Sequence, residues 1–132
     1  MILKLPLLAL ALMATGAMAA DSDQASRDAR DLAKALAGRT PGTPIDCVDP
    51  ARVGSPQIIG NRTLIYRDVG RVLRNDLPAA CPGLDEDSII VNEIHGSQLC
   101  SNDMFYTLER GTRVPGPRCR LGKFTPYTKP KP

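Results

Sequence analysis

The chain has 132 residues, no tryptophan and 4% aromatic residues, with 17 basic side chains against 14 acidic ones and a formal charge of +3. That near balance argues against a nucleic-acid binder, which ordinarily carries a larger net positive charge. The length limits the fold to one modest core.

The opening stretch, "MILKLPLLALALMATGAMAAD", reads as a secretory signal peptide. Lys4 is its positive n-region, Leu5 to Met13 its apolar run, and Ala17 to Ala19 the small residues of a cleavage site. Cleavage makes Ala20 the first mature residue, leaves about 110 residues, and lowers the formal charge to +2 by removing Lys4. The apolar run falls short of the roughly 20 residues that cross a bilayer, so no membrane span is expected after cleavage.

Residues 22 to 38 carry Ala25, Ala29, Leu32, Ala33 and Leu36 at helical spacing, with Asp21 or Ser22 to cap the start and Gly38 to end it. So thin an apolar stripe places the helix on a surface. "RTPGTPIDCVDP", Arg39 to Pro50, breaks any helix.

From Gln57 the period becomes that of strands. "QIIGNRTLIYRDVGRVLRN" reads as three short strands, with Gly60-Asn61 a two-residue hairpin turn and Asp68 to Gly70 a second turn. "DLPAACPGLDEDS" is an acidic, proline-bearing connection. "SIIVNEI" is apolar on both faces and is expected to be the central strand, with His95 at its end. Gly96-Ser97 and Ser101 to Asp103 offer turns, and "MFYTLE" is another strand. "TRV" and "RCRLGKF" supply edge strands, with Pro115 to Pro117 between them. "TPYTKPKP" is a basic, proline-rich tail expected to be extended and mobile.

The resulting expectation is a mostly β fold, a small disulfide-stabilised antiparallel sheet or open barrel with one N-terminal helix. Its parts are a cleaved signal at 1–19, the helix and a proline-rich lead-in at 20–45, a β domain at 46–126, and a mobile basic tail at 127–132.

Cys47, Cys81, Cys100 and Cys119 contain no Cys-x-x-Cys pair, which both thioredoxin-like redox sites and zinc knuckles require. An even count in an exported chain points to two disulfides. The expected pairing is Cys47 with Cys100 and Cys81 with Cys119, because it ties the lead-in and the acidic connection to the C-terminal strands. Loop entropy does not select it, since the nested alternative, Cys47 with Cys119 and Cys81 with Cys100, is nearly equal in sum.

His95 is the only histidine, so any histidine base must be this one, with Ser97 and Asp103 as neighbours in sequence. Yet Ser97 lacks a Gly-x-Ser-x-Gly setting, and one histidine makes no histidine-rich metal site. "DEDS", Asp85 to Ser88, lacks the alternating ligands of a calcium loop and reads as solvated charge. No catalytic residue, metal or cofactor is expected. Asn61 opens the sequon Asn-Arg-Thr, although the turn already accounts for it.

Arg113, Arg118, Arg120, Lys123, Lys129 and Lys131 form a basic run with no acid of its own. Arg118, Arg120, Lys123, Lys129 and Lys131 are candidate contacts to an anionic surface. The partner would be an anionic envelope component or another envelope protein. No apolar face for membrane insertion accompanies them.

Taken together, "LAGRTPGTPIDCVDPARV", "TLIYR", "QLCSNDMFY" and "CRLGKFTPY" resemble a family of small exported proteobacterial proteins built on a domain of unknown function. The resemblance runs from about Leu36 to Tyr127. It rests on Cys47, on Leu99-Cys100 with Asp103, and on Leu121-Gly122 with Phe124. It implies a bacterial, periplasmic protein and no particular activity, and it carries no catalytic residue over.

The leading functional expectation is thus a non-enzymatic envelope module that binds or supports something outside the cytoplasm. The alternatives are a small hydrolase-like enzyme using His95, and a secreted enzyme inhibitor presenting "PAACPGLDEDS".

Overall fold

The computed structural model describes residues 16–132, with side chains from Ala19 onward. The Lys4 n-region and the Leu5 to Met13 run lie outside the described residues. Helix α1, Gly16–Ala35, starts earlier than expected and runs through the Ala19–Ala20 bond. Residues 17–20 are alanines and one methionine, strong helix formers that favour the extension as far as Gly16. Its C-terminal part is held to the fold: Leu32, Ala35 and Leu36 pack on Ile59, Ile65, Val72 and Tyr127.

Those residues belong to a five-stranded antiparallel sheet of order β1-β10-β5-β4-β3. The strands are β1 (Thr40–Pro41), β3 (Gln57–Ile59), β4 (Thr63–Asp68), β5 (Arg71–Asp76) and β10 (Phe124–Thr128). Its second face carries Ile58, Leu64, Tyr66, Leu73 and Phe124 into the main core. Because side chains alternate along a strand, Leu64 and Tyr66 enter that core while Ile65 turns to α1. Both faces are therefore covered, and Leu64, Tyr66 and Leu73 are fully buried. Tyr66 and Phe124 meet edge to face, ring centres 5.6 Å apart at 64°.

Two smaller sheets close the core. β2 (Cys47–Val48) pairs with β7 (Leu99–Cys100), and β6 (Ile89–Asn92), β8 (Met104–Leu108) and β9 (Pro115–Arg120) form a three-stranded sheet in that order. Val48, Leu99 and Phe105 enter the same cluster as Leu64 and Tyr66. The one-turn helix α2, Pro50–Val53, adds Val53. Its start is well specified: Asp49 caps it by accepting from Ala51 N at 2.9 Å, and Pro50 occupies the first turn.

The fold is mostly β, as expected, and both disulfides take the expected pairing, Cys47–Cys100 and Cys81–Cys119. Cys47 lies directly opposite Cys100 in the β2–β7 register. Ser101 N donates to Asp46 O at 2.7 Å, so the adjacent cysteine pair is a close, non-hydrogen-bonded one, with Cα atoms 4.0 Å apart.

Several details differ from expectation. The lead-in is not bare loop, since β1 pairs with β10 and Ile45 bridges Phe124. The sheet thus begins at Thr40 rather than residue 46. Pro50, expected to be a breaker, opens α2. The first hairpin loop has three residues, Gly60 to Arg62, because Ile59 pairs with Thr63.

"SIIVNEI" is an edge strand rather than a central one: among the described residues β6 pairs only with β8, and the middle of the large sheet goes to β10, β5 and β4. Apolarity on both faces of β6 has another origin, since Ile90 faces the core and Ile89 and Val91 face outward. "TRV" lies in the turn before β9, and Pro115 to Pro117 are part of that strand.

The basic tail is the largest correction. Thr125 to Thr128 lie in β10, between β1 and β5, and only residues 129–132 carry no assigned structure. Proline normally breaks a ladder because it has no N–H. Pro126 O accepts from Gly42 N at 2.7 Å, and a strand residue turns its N–H and C=O to the same side. The missing donor therefore faces the short strand β1, and the β5 ladder is untouched.

Candidate functional site

His95 lies in the bend after β6, exposed, and makes no hydrogen bond or ion pair among the described residues. Ser97 is exposed two residues on. Asp103 is committed elsewhere: its Oδ2 accepts from Cys100 N at 2.8 Å, and its own N–H donates to Cys100 O at 3.1 Å. These bonds close the Ser101–Asn102 turn, where Asn102 takes φ 69°. No base-orienting pair joins the three residues.

Asp85 to Ser88 likewise fold on themselves. Asp85 Oδ1 accepts from Asp87 N at 3.0 Å and from Ser88 Oγ at 3.0 Å, a short-range pattern typical of aspartate turns. The loop that carries them is anchored from outside: Arg62 donates to Leu77 O and Pro78 O, Cys81 N donates to Asn61 O, and Cys81 is bonded to Cys119. Two open clefts flank this loop. One, of about 580 Å³, lies between α1 and the β3–β4 hairpin and is bordered by Asp21, Asp28, Asp31 and Glu86. The other, of about 510 Å³, lies against the turn between β8 and β9. No group of three or more metal-ligating side chains occurs among the described residues.

The basic run does not stay together. Arg118 and Arg120 point outward from β9, on either side of Cys119, which turns to the core. Arg118 Nε bonds Glu93 Oε1 at 2.7 Å, and this hydrogen bond and charge push its guanidinium further up. Arg120 Nη1 donates to Asn102 O at 3.4 Å, and Lys123 Nζ stands 3.5 Å from Asp46. Lys129 and Lys131 follow β10, whose far end is about 13 Å from Phe124 at the strand rise. Lys123 and Lys129 thus lie at opposite ends of that strand. Arg113, at φ 60°, sits in the turn before β9.

What Arg118 and Arg120 do join is a face that sequence reasoning missed. Register places Val91 opposite Tyr106, Tyr106 opposite Arg118, and Met104 opposite Arg120. With Ile89 and Leu108, these side chains form the outer surface of the three-stranded sheet. All five apolar or aromatic members are half-buried, and none belongs to either core cluster. The alternation of "MFYTL" is the signal that could have separated Phe105 from Met104 and Tyr106.

A separate ionic site is built around one buried carboxylate. The Asp68 side chain, 2% exposed, contacts Arg52 Nη2 and Arg71 Nε, each at 3.0 Å. Burial alone would raise its carboxyl, but the Val69 N–H, the Arg71 hydrogen bond and the two guanidinium charges outweigh it and hold it below the usual carboxylate value. This triad ties α2 to the β4–β5 turn, which is a structural task.

No helix among the described residues is long and apolar enough to cross a membrane. The two disulfides are compatible with an oxidising compartment. Comparisons with protein-family models, curated proteins and solved structures found no match to this chain.

Proposed function

We propose that the chain is a non-enzymatic binding module of the periplasm or the secreted space, and that it holds an anionic glycan of the envelope on the outer face of the three-stranded sheet. The observation that carries this reading is the pairing of Tyr106 with Arg118 on a sheet face whose side chains join neither core cluster among the described residues. A tyrosine ring offers a flat surface to a sugar ring, and arginine offers planar donors to a carboxylate or phosphate; Arg118 spends its Nε on Glu93, which leaves its two terminal nitrogens for the ligand. Arg120 adds a second guanidinium two residues along, and Lys123 lies near it at the same end. A flat half-apolar face between cations suits an extended polymer better than a membrane, which would need a protruding apolar surface.

Co-sedimentation with anionic envelope polysaccharide, at low and high salt, tests the reading. Binding is expected to weaken with salt, and Tyr106→Ala and Arg120→Glu are each expected to weaken it, while deletion of Lys129 to Pro132 leaves most of it intact. Binding indifferent to salt and to both substitutions overturns the proposal. So does an enzymatic activity abolished by His95→Ala in a folded protein.

A second reading is favoured by the anchoring of the acidic loop. Its exposed residues stand on a disulfide and on the Arg62 contacts, so a partner enzyme would meet a preorganised surface. Capture of one stoichiometric enzyme from an envelope extract, lost when Glu86 and Asp87 are both changed to alanine, supports this inhibitor role.

A further inference from the structure

A sheet edge exposes unpaired N–H and C=O groups, and proteins ordinarily blunt such edges with proline, lysine or brevity. In this chain β1 is two residues long and contains Pro41, β3 has three residues, and β9 carries Pro115 and Pro117. β6 has none of these protections. Its sequence is Ile-Ile-Val-Asn, three β-branched residues and an asparagine, and no strand among the described residues pairs with its outer edge.

The phase of the ladder shows which groups are free. Glu93 N donates to Met104 O at 2.8 Å, so residues 89, 91 and 93 turn their backbone groups toward β8. Ile90 and Asn92 therefore turn theirs away. The Asn92 carboxamide oxygen is also buried without a hydrogen-bond partner among the described residues.

We propose that β6 pairs antiparallel with β6 of a second copy of this chain, about a two-fold axis at Val91. In that register Ile90 of each copy exchanges two hydrogen bonds with Asn92 of the other, which satisfies all four outward groups on each strand. Val91 meets Val91 across the axis on the outer face, as a close non-hydrogen-bonded pair. The strand is self-complementary in charge as well. Glu93 falls opposite Ile89 of the second copy rather than opposite another glutamate, and Arg118 of its own chain already neutralises it. The product is one continuous six-stranded sheet, with Arg118 and Arg120 repeated at its two rims. The pairing does not depend on which ligand that face takes.

Sedimentation velocity of the oxidised mature protein over a range of concentrations tests the pairing. A concentration-dependent dimer is expected, with the Ile90 and Asn92 amides protected from hydrogen exchange in the dimer and released on dilution. Val91→Lys places two like charges at the axis and is expected to give a monomer with an unchanged circular dichroism spectrum. Asn92→Pro removes one outward N–H without touching the β8 ladder, and it is expected to give a monomer too. A wild-type protein that stays monomeric throughout, even if it captures some other extended peptide, overturns the proposal. So does a dimer that persists in both variants or leaves the two amides unprotected.

Discussion

Asn75 and Gly122 exchange two hydrogen bonds through the wall of the core: Asn75 Nδ2 donates to Gly122 O, and Gly122 N donates to Asn75 Oδ1, each at 2.8 Å. The carboxamide acts as one extra strand residue. It satisfies the backbone just where the chain leaves β9 for β10, at a point where Asn75 itself is fully buried. Glycine is required opposite it, because a Cβ at 122 would overlap the Asp76 carbonyl.

Asn75→Ala is therefore expected to destabilise the protein by about 2–4 kcal/mol, since it strands the Gly122 donor and acceptor and leaves a small cavity. Gly122→Ala is expected to cost at least about 2 kcal/mol, because the obstructing atom belongs to the backbone and cannot swing aside. Urea unfolding of both variants checks this. A loss below about 1 kcal/mol in either would show that the linkage carries little.

The Asp68 triad sets an acid limit. A carboxyl held below its ordinary value of 3.8 contributes stability that is fully present above that value and is lost as pH falls through its folded pKa. Asp68→Asn should be less stable than the wild type at pH 7. The two should converge as pH drops below the ordinary carboxylate value. Thermal melts at neutral and acid pH measure the gap, and a gap that is constant with pH would remove the ionic explanation.

Much of the fold was legible because its signals are local. The Asp68–Gly70 turn, set between the apolar run "LIY" and the apolar pair of "RVLR", specifies the β4–β5 hairpin without reference to the rest of the chain. The disulfide pairing followed from a topological argument about which segments need tethering. Pro126 was illegible because its tolerance depends on which side of β10 its nitrogen faces, and only the register with Gly42 decides that. β6 looked central because apolar residues on both faces do not reveal whether a neighbouring strand exists. The outer face with Tyr106 and Arg118 needed the pairing of three strands whose contacts lie far apart in sequence. The basic run looked continuous for the converse reason, since β10 carries Lys129 away from Lys123.

The two disulfides should differ in weight in the order opposite to their loop lengths. The chain-entropy model gives about 4 kcal/mol for each bond, at separations of 53 and 38 residues. Packing then decides: Cys81 is fully buried in the main core, whereas Cys47 and Cys100 are half-exposed on a two-residue ladder. The double variant Cys81→Ala/Cys119→Ala should therefore lose more stability than Cys47→Ala/Cys100→Ala. Denaturant midpoints of the two test it, and equal or reversed midpoints would contradict it.

The C-terminus should tolerate only a precise amount of trimming. Deleting Lys129 to Pro132 removes residues outside the ladders and should shift the melting temperature by no more than about 2 °C, as expected of untethered termini. Deleting from Thr125 onward removes a strand between β1 and β5 together with Tyr127, on which α1 packs. That truncation should not fold, and a cooperative melt from it would show that β10 is dispensable.

Tyr66 offers a case in which removing a polar group should help. Its ring is fully buried against Phe124, yet its hydroxyl has no hydrogen-bond partner among the described residues. A buried hydroxyl gives up its bonds to water, and here no protein group replaces them. Tyr66→Phe keeps the ring and removes the penalty, so it should be neutral or stabilise by about 1 kcal/mol. Burial also pushes the phenol above its ordinary value of 10.0. A group with a raised folded pKa contributes stability that is present below the unfolded value and declines as pH rises past it. The wild type should therefore lose stability above about pH 10 more steeply than Tyr66→Phe. Urea titrations at pH 7 and pH 10.5 read both effects. A variant destabilised by more than about 1 kcal/mol at pH 7 would mean that the hydroxyl has a partner after all.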